Sequence, residues 1–253
     1  MKSIGVIGGV GPQAGLDFIQ KIFTNTKANK DQDHINCMLI SCPSLIPDRT
    51  GFLLQNEEVK GENPAYGMFE SARRLYLAGV RHAVVACNTA HSSRIYNPFC
   101  AMIKESLPEF KIINMLETCA IYIKKYLFEN TTRIGLLATK GTYKSRVYHE
   151  YIKADDNIEL IEPEIQGQER IHEAIYSEKY GIKAHSQDIK PQARDWISYE
   201  IYRLIDRGAD AVILGCTELP LAVPVQNYHI PIIDPGLIAA RSLIELIAPE
   251  KLL

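Results

Sequence analysis

Short runs of β-branched and other apolar residues alternate along the chain with stretches whose apolar positions recur every three or four residues. Eight runs read as strands: Ser3–Ile7, Ile35–Ser41, His82–Ala86, Lys111–Ile113, Arg133–Ala138, Ile158–Ile161, Ala211–Leu214 and Pro231–Ile233. Their apolar character is continuous rather than alternating, which suits strands covered on both faces, as in a parallel sheet. Between them lie helical stripes. Phe18, Ile22 and Phe23 form one, and Ile197, Ile201, Leu204 and Ile205 form another. The alternation predicts an α/β fold of mostly parallel sheet flanked by helices. The stretch from Cys42 to Asn63 is long for a strand-to-helix connection, and such loops are often functional.

An internal repeat refines this picture. "GVRHAVVACNTAH" begins at Gly79 and "GADAVILGCTELP" at Gly208, and in each a cysteine follows the glycine by eight residues. Each copy has an upstream partner: Gly5 of "SIGVIGG" lies 82 residues before Cys87, and Gly135 of "TRIGLLATKGT" lies 81 before Cys216. Two copies of one α/β unit, each ending a central strand in cysteine, account for the spacing. The expected architecture is two pseudo-symmetric lobes with the site in the cleft between them. The first lobe comprises 1–114 with 226–253, and the second 115–225. The last helix, Pro235–Ile247, is expected to return to the first lobe. Ligands bind at the carboxyl ends of strands in open α/β sheets, so Cys87 and Cys216 are expected to line one cleft.

The first strand runs into a glycine cluster, and Gly9, Gly11 and Ala14 fit a loose dinucleotide-binding pattern. That pattern needs an acidic residue at the end of the second strand, but "INCMLISCPS" ends in Ser41 and Cys42, while Asp31 and Asp33 precede it. An NAD-linked oxidoreductase is therefore disfavoured. The cluster reads instead as a tight turn with Pro12 opening a helix, whose backbone can approach a small ligand.

Composition narrows the class. The chain has 253 residues, 46% of them hydrophobic, and a net charge of −2. That suffices for a buried core and gives no sign of a nucleic-acid or anionic-membrane partner. Asp17 and Lys21 come too early for a secretory signal. The six cysteines form no CxxC pair, so they read as free thiols of a cytoplasmic protein.

Taken singly, a cysteine is most often inert core. Matching cysteines in two facing lobes put one thiol on each side of a bound molecule. Two thiols across one carbon suit stereoinversion, one removing a proton and the other delivering one. Both precede an expected helix start, where the positive dipole end favours thiolate. His91 and Glu218 are candidate tuners, with helix capping or solvent exposure as the alternative. Zinc held by Cys87, His91 and Cys216 is a weaker reading, lacking a fourth ligand and a metal-type spacing.

Five pieces, "IGVIGGVGP" (4–12), "PDRT" (47–50), "ACNTAH" (86–91), "GLLATKGT" (135–142) and "GCTE" (215–218), span nearly the whole chain. In these the sequence resembles the aspartate/glutamate racemase family, and within it the pyridoxal-independent aspartate racemases. Gly8-Gly9 stands where the glutamate racemases of cell-wall synthesis carry Asp-Ser. The resemblance implies a two-lobed, dimeric, cofactor-independent isomerase acting on an acidic amino acid, with Cys87 and Cys216 as the acid/base pair and no metal. It implies that Arg49, with Thr50 beside it, grips the side-chain carboxylate. It also implies that Asn88, Thr89, Thr139, Thr142 and Thr217 serve the α-amino and α-carboxylate groups. A substrate-proximal lysine is implied at Lys179, two residues before a glycine, with Lys183 as the alternative. The segment "SCPSLIPDRT" is one residue longer than the family pattern, which bears on where Arg49 falls.

The sequence thus points to racemisation of aspartate. Glutamate or a broader set of acidic amino acids is the alternative substrate class. A non-catalytic amino-acid binding protein on the same fold is the alternative of another kind.

Overall fold

The computed structural model describes residues 3–55, 62–127, 133–152, 158–223 and 227–253. Two four-stranded parallel sheets form its frame. The first contains β1 (Ser3–Gly8), β2 (Asn36–Ser41), β3 (His82–Val85) and β4 (Lys111–Ile113) in the order β2-β1-β3-β4. The second contains β5 (Arg133–Ala138), β6 (Glu159–Ile161), β7 (Ala211–Gly215) and β8 (Ile232–Ile233) in the order β6-β5-β7-β8. The two orders are the same order, so the repeat in the sequence is a repeat of topology.

The repeated glycines show why. Gly79 and Gly208 sit at φ of 91° and 85°, a left-handed turn that glycine adopts without steric cost. Each turn feeds a central strand, β3 or β7. In the neighbouring strands, a Cβ on Gly5 would come within 3.0 Å of Leu75, and one on Gly135 within 2.9 Å of Leu204. Both glycines therefore let a helix lie close on its sheet. Those helices are α3 (Pro64–Leu77) and α9 (Pro191–Asp206).

The remaining helices are α1 (Pro12–Thr24), α2 (Arg49–Leu54), α4 (Ser93–Ser106), α5 (Met115–Tyr126), α6 (Lys140–Ser145), α7 (Val147–Ile152), α8 (Ile165–Tyr176), α10 (Leu219–Ala222) and α11 (Pro235–Ile247). Pro12 does open α1, where its missing N–H costs nothing. Phe18 and Ile22 are buried on that helix, whereas Phe23 turns outward and meets His34 edge-on. On α9, Ile197, Ile201 and Leu204 are fully buried. The long connection after β2 contains α2, capped by the Asp48 carboxylate accepting from Gly51 N–H.

The core has three parts. One apolar cluster packs Ile7, Leu75, Val85 and Phe99 on the outer side of the first sheet. Another packs Leu137, Val212 and Ile201 on the outer side of the second. A third joins the inner faces, running from Ile4 and Val84 through Met115, Tyr148 and Leu243 to Ile134 and Ile213. The lobes thus share one continuous core.

The stretch 226–253, expected in the first lobe, divides. Within it β8 pairs in register with Val212 and Ile213 of the second sheet, so it supplies that sheet's edge. Helix α11 packs on α1 of the first lobe and on α5, which the expected boundary places in the second. The boundary expected between 225 and 226 lies outside the described residues. Among the described residues, no helix is long and apolar enough to cross a membrane.

Candidate active site

Cys216 follows β7 directly and Cys87 follows β3 after one intervening residue, both at the carboxyl ends of central strands. Both are buried, and both line one narrow cleft between the lobes. Equal sequence spacing from the left-handed glycines accompanies this match: each cysteine lies eight residues after its glycine. All six cysteines are free thiols.

The surroundings of the two thiols differ. Cys216 Sγ donates to Glu218 Oε2 at 3.0 Å. Lys183 pairs with Glu218 Oε1. Burial raises the Cys216 pKa well above the thiol range, and the Glu218 charge raises it further against the pull of Lys183. Burial also works against the Glu218 charge. Lys183, the Cys216 thiol and Arg49 outweigh it and hold that carboxyl below its usual value. Glu218 reaches the glycine turn of the opposite lobe, where a Cβ on Gly11 would collide with Oε1. The turn is therefore closed by a carboxylate of this chain. Gly9, at φ 75°, backs onto Cys42 and Pro43, where a Cβ would sit 2.7 Å from the Cys42 nitrogen. Gly9 is thus a packing residue that seats the loop carrying Arg49.

On the other side, Arg49 lies buried in the cleft beside Cys87 despite the longer segment before it. It donates to Pro47 O at 3.1 Å and to Val10 O, while Nε has no partner among the described residues. Burial opposes its charge, but Cys87, Tyr176 and Asp48 outweigh that and raise its pKa.

The hydroxyls gather into one cluster across the lobes. Thr89 Oγ1 lies 3.1 Å from Thr139 Oγ1 and 2.9 Å from Thr142 Oγ1. Thr50 Oγ1 donates to Thr139 Oγ1 at 3.2 Å. Thr217 Oγ1 is 3.3 Å from Ala86 O of the other lobe and 3.3 Å from Glu218 Oε2. Asn88 is buried in the same cleft. Of these hydroxyls, Thr139 also accepts from Thr142 N–H, so it caps α6 while facing the cleft.

Two expected residues fall elsewhere. Lys179 is exposed beyond the end of α8, and Lys183 lines the cleft instead. The chain hooks back there, with Gly181 N–H on Ser177 O at 2.7 Å and Lys183 N–H on Ile175 O at 3.1 Å. A Cβ on Gly181 would lie 2.5 Å from Ser177 N, so glycine permits the hook that delivers the following lysine inward. His91 is buried behind Cys87 rather than beside its thiol. Its Nδ1 is 2.8 Å from Cys87 O, and Nε2 accepts from Met115 N–H at 3.3 Å. That acceptor role leaves Nδ1 as the donor, a neutral ring with both nitrogens engaged and none to spare for a metal. Burial pushes its pKa down to about 4. Among the described residues, no cluster of His, Cys, Asp and Glu is arranged to hold a metal ion.

Tyr176, which the sequence pattern does not mark, also lines the cleft. Its hydroxyl donates to Asp48 Oδ1 at 2.9 Å and lies 3.3 Å from Thr50 Oγ1. It sits at the end of α8 off the apolar stripe, and nothing in its sequence surroundings distinguishes it from a surface tyrosine.

The fold and site together are a pair of like parallel-sheet lobes with two strand-end thiols lining one cleft between them. Residues 7–243 match the family model of the Asp/Glu/hydantoin racemases, and the chain belongs to that family. An aspartate racemase from Picrophilus torridus superposes with a TM-score of 0.80 at 29% identity, covering 98% of this chain and 94% of that one. The "Broad specificity amino-acid racemase RacX" of Bacillus subtilis (strain 168) is 25% identical over 95% of this chain and 96% of its own length. An "Uncharacterized protein in pnlA 3'region" of Pectobacterium carotovorum subsp. carotovorum is 40% identical over 92 residues, which cover 36% of this chain and 56% of that protein.

Proposed function

We propose that this protein interconverts L- and D-aspartate without a cofactor, using Cys87 and Cys216 as the two proton-transfer groups. The observation that carries the reading is their placement: equivalent strand ends of two lobes, lining one cleft. One thiolate takes the α-proton from one face, and the opposite thiol protonates the resulting carbanion on the other. The environments suit different starting roles. Cys216 is held as a thiol by its hydrogen bond to Glu218, ready to donate. Cys87 has the Arg49 guanidinium beside it, a cation that can pair with a thiolate. After one turnover the roles are reversed, and the opposite enantiomer is the substrate.

Aspartate as substrate is supported by the likeness to the Picrophilus protein and by the two cations, Arg49 and Lys183, in one cleft. Arg49 can match a carboxylate with its planar fork, and Lys183, already paired with Glu218, adds to the positive side of the cleft. A broader range of acidic amino acids is the second reading. It is favoured by one observation: two backbone carbonyls already occupy the Arg49 guanidinium, so a side-chain carboxylate finds only part of the fork free.

The test is incubation of the protein with L-aspartate, L-glutamate and L-asparagine, with and without EDTA, followed by chiral chromatography. D-Aspartate should accumulate fastest and EDTA should leave the rate unchanged. Binding of aspartate without inversion would make the protein a non-catalytic amino-acid binder.

A further inference from the structure

Asn88 follows Cys87 and spans the two lobes. Its side-chain carbonyl, Oδ1, accepts from Tyr148 Oη at 2.5 Å, and Tyr148 belongs to α7 of the other lobe. Its side-chain nitrogen, Nδ2, is buried and has no partner among the described residues. A buried amide donor without a partner is costly and rare, and one at the edge of a cleft is a donor reserved for a ligand acceptor.

The phenol settles which end of the amide faces the ligand. Tyr148 is 1% exposed and among the largest fully buried side chains. Burial drives its pKa well above the usual phenol value, so the O–H remains a donor. Turned over, Asn88 would leave that O–H without its acceptor and would present an oxygen to the cleft. An oxygen there repels an anionic substrate, whereas an N–H₂ binds it. The ring packs against a glycine: a Cβ on Gly215 would lie 2.7 Å from Leu136 Cδ1, 3.0 Å from Leu137 O and 3.1 Å from Tyr148 Cε2. The glycine immediately before Cys216 thus leaves room for its own sheet neighbours and for the tyrosine that orients the residue immediately after Cys87.

We propose that Tyr148 is a positioning residue that locks the Asn88 amide with its N–H₂ toward a carboxylate of the ligand. The proposal rests on the racemase reading for the identity of that carboxylate, but its test does not need turnover. Tyr148 contributes affinity from outside the cleft, and it ties ligand binding to the relative position of the lobes, because donor and acceptor come from opposite ones.

The probe is succinate, a dicarboxylate with no α-amino group, titrated into the protein by calorimetry. Tyr148→Phe should weaken succinate binding by about tenfold to a hundredfold, the cost of one misdirected polar group. For racemisation of L-aspartate, KM should rise with the larger share of the loss and kcat should change less. Asn88→Ala should weaken binding similarly. Tyr148→Phe added to Asn88→Ala should then bring almost no further loss, because the hydroxyl acts only through the amide. A merely structural tyrosine gives additive losses instead. Succinate affinity unchanged in Tyr148→Phe, additive losses in the double variant, or a wild-type protein that binds no succinate would each overturn the proposal. Failure of the racemase reading alone looks different: succinate binds with the coupling described, but no D-aspartate forms. If Tyr148→Phe does not fold, Asn88→Asp keeps an acceptor for the Tyr148 hydroxyl and replaces the N–H₂ with an oxygen: succinate binding should then fall below that of Asn88→Ala, and binding equal to wild type would overturn the proposal.

Discussion

Cys216 and Glu218 lie two residues apart, and the thiol of the first donates to the carboxylate of the second. Beyond Cys87, the equivalent position is Thr89, whose hydroxyl meets other hydroxyls rather than the sulfur. A symmetric frame therefore holds an asymmetric pair. One thiol has a neighbouring anion that keeps its proton in place, and the other has a neighbouring cation.

Removing that anion should release the proton. In Glu218→Gln the charge that helps raise the Cys216 pKa is gone, while Lys183 remains beside it and favours thiolate. Burial still holds the value up, so the fall is partial. Each unit of fall gives about tenfold more thiolate near neutral pH. Iodoacetamide labelling of Cys216, mapped by mass spectrometry, should speed up accordingly. Because the equilibrium constant between enantiomers is unity, kcat/KM should fall equally from L- and from D-aspartate. Labelling no faster than wild type would show that Glu218 does not hold the thiol proton.

Lys183 and Lys179 should separate cleanly. Lys183→Met removes a cation from the cleft and leaves the buried Glu218 without its partner. Breaking such a pair costs on the order of 3–5 kcal/mol. Racemisation should fall by roughly a hundredfold or more, and the thermal midpoint should drop. Lys179→Ala, on the exposed turn, should match wild type in both measurements. The reverse pattern would return the substrate-proximal role to Lys179.

Strands were far more legible in the sequence than contacts within the cleft. All eight strand runs appear within a residue of where the apolar pattern sets them. The central strands β1, β5 and β7 are buried along nearly their whole length and write it in apolar residues, whereas the edge strands β2 and β4 are only partly buried. The thiol pair was legible because a duplicated unit preserves spacing from turn to strand tip. Lys183 was ambiguous for a physical reason: only the hook made by the Gly181 backbone decides which lysine turns inward. His91 was misplaced because sequence distance from Cys87 is blind to a ring that turns back onto the backbone carbonyl. Tyr176 and Tyr148 were invisible because each reaches its partner across the lobe interface, from Asp48 in one case and Asn88 in the other.

Arg49→Ala tests specificity. Loss of a charge-assisted grip on a carboxylate should cost on the order of 2–4 kcal/mol, or roughly 30- to 1000-fold in kcat/KM. Discrimination between aspartate and asparagine should collapse with it. Arg49→Lys keeps the charge but not the planar fork, and should recover only part of the loss. Wild-type kinetics in Arg49→Ala would leave Arg49 a structural group that holds the Val10 and Pro47 carbonyls.

His91 gives the fold an acid sensitivity of known sign. Its pKa falls from 6.5 to about 4 on burial, so below pH 6.5 the unfolded chain binds a proton that the folded protein refuses. The stability of the neutral, buried ring is complete above pH 6.5 and drains away as pH falls toward about 4. The loss attributable to this group is at most about 3 kcal/mol. Thermal melts from pH 7.5 down to pH 4.5 should show it as a falling midpoint. His91→Gln should be less stable at the upper end and should fall less steeply. An identical slope in that variant would assign the acid sensitivity to other groups.

The most direct measurement follows deuterium and chirality together in wild type, Cys87→Ala and Cys216→Ala, starting from each enantiomer of aspartate in D₂O. If the two thiols face opposite sides of one α-carbon, wild-type product carries deuterium from the first turnover, while remaining substrate gains label more slowly. Each single variant loses inversion, because each lacks one of two required partners. One variant should still exchange the α-proton of L-aspartate with retention, and the other that of D-aspartate, a complementary pattern that assigns each thiol to a face. Cys37→Ala, Cys100→Ala and Cys119→Ala should racemise like wild type. Inversion at the wild-type rate in either Cys87→Ala or Cys216→Ala would contradict the two-thiol mechanism.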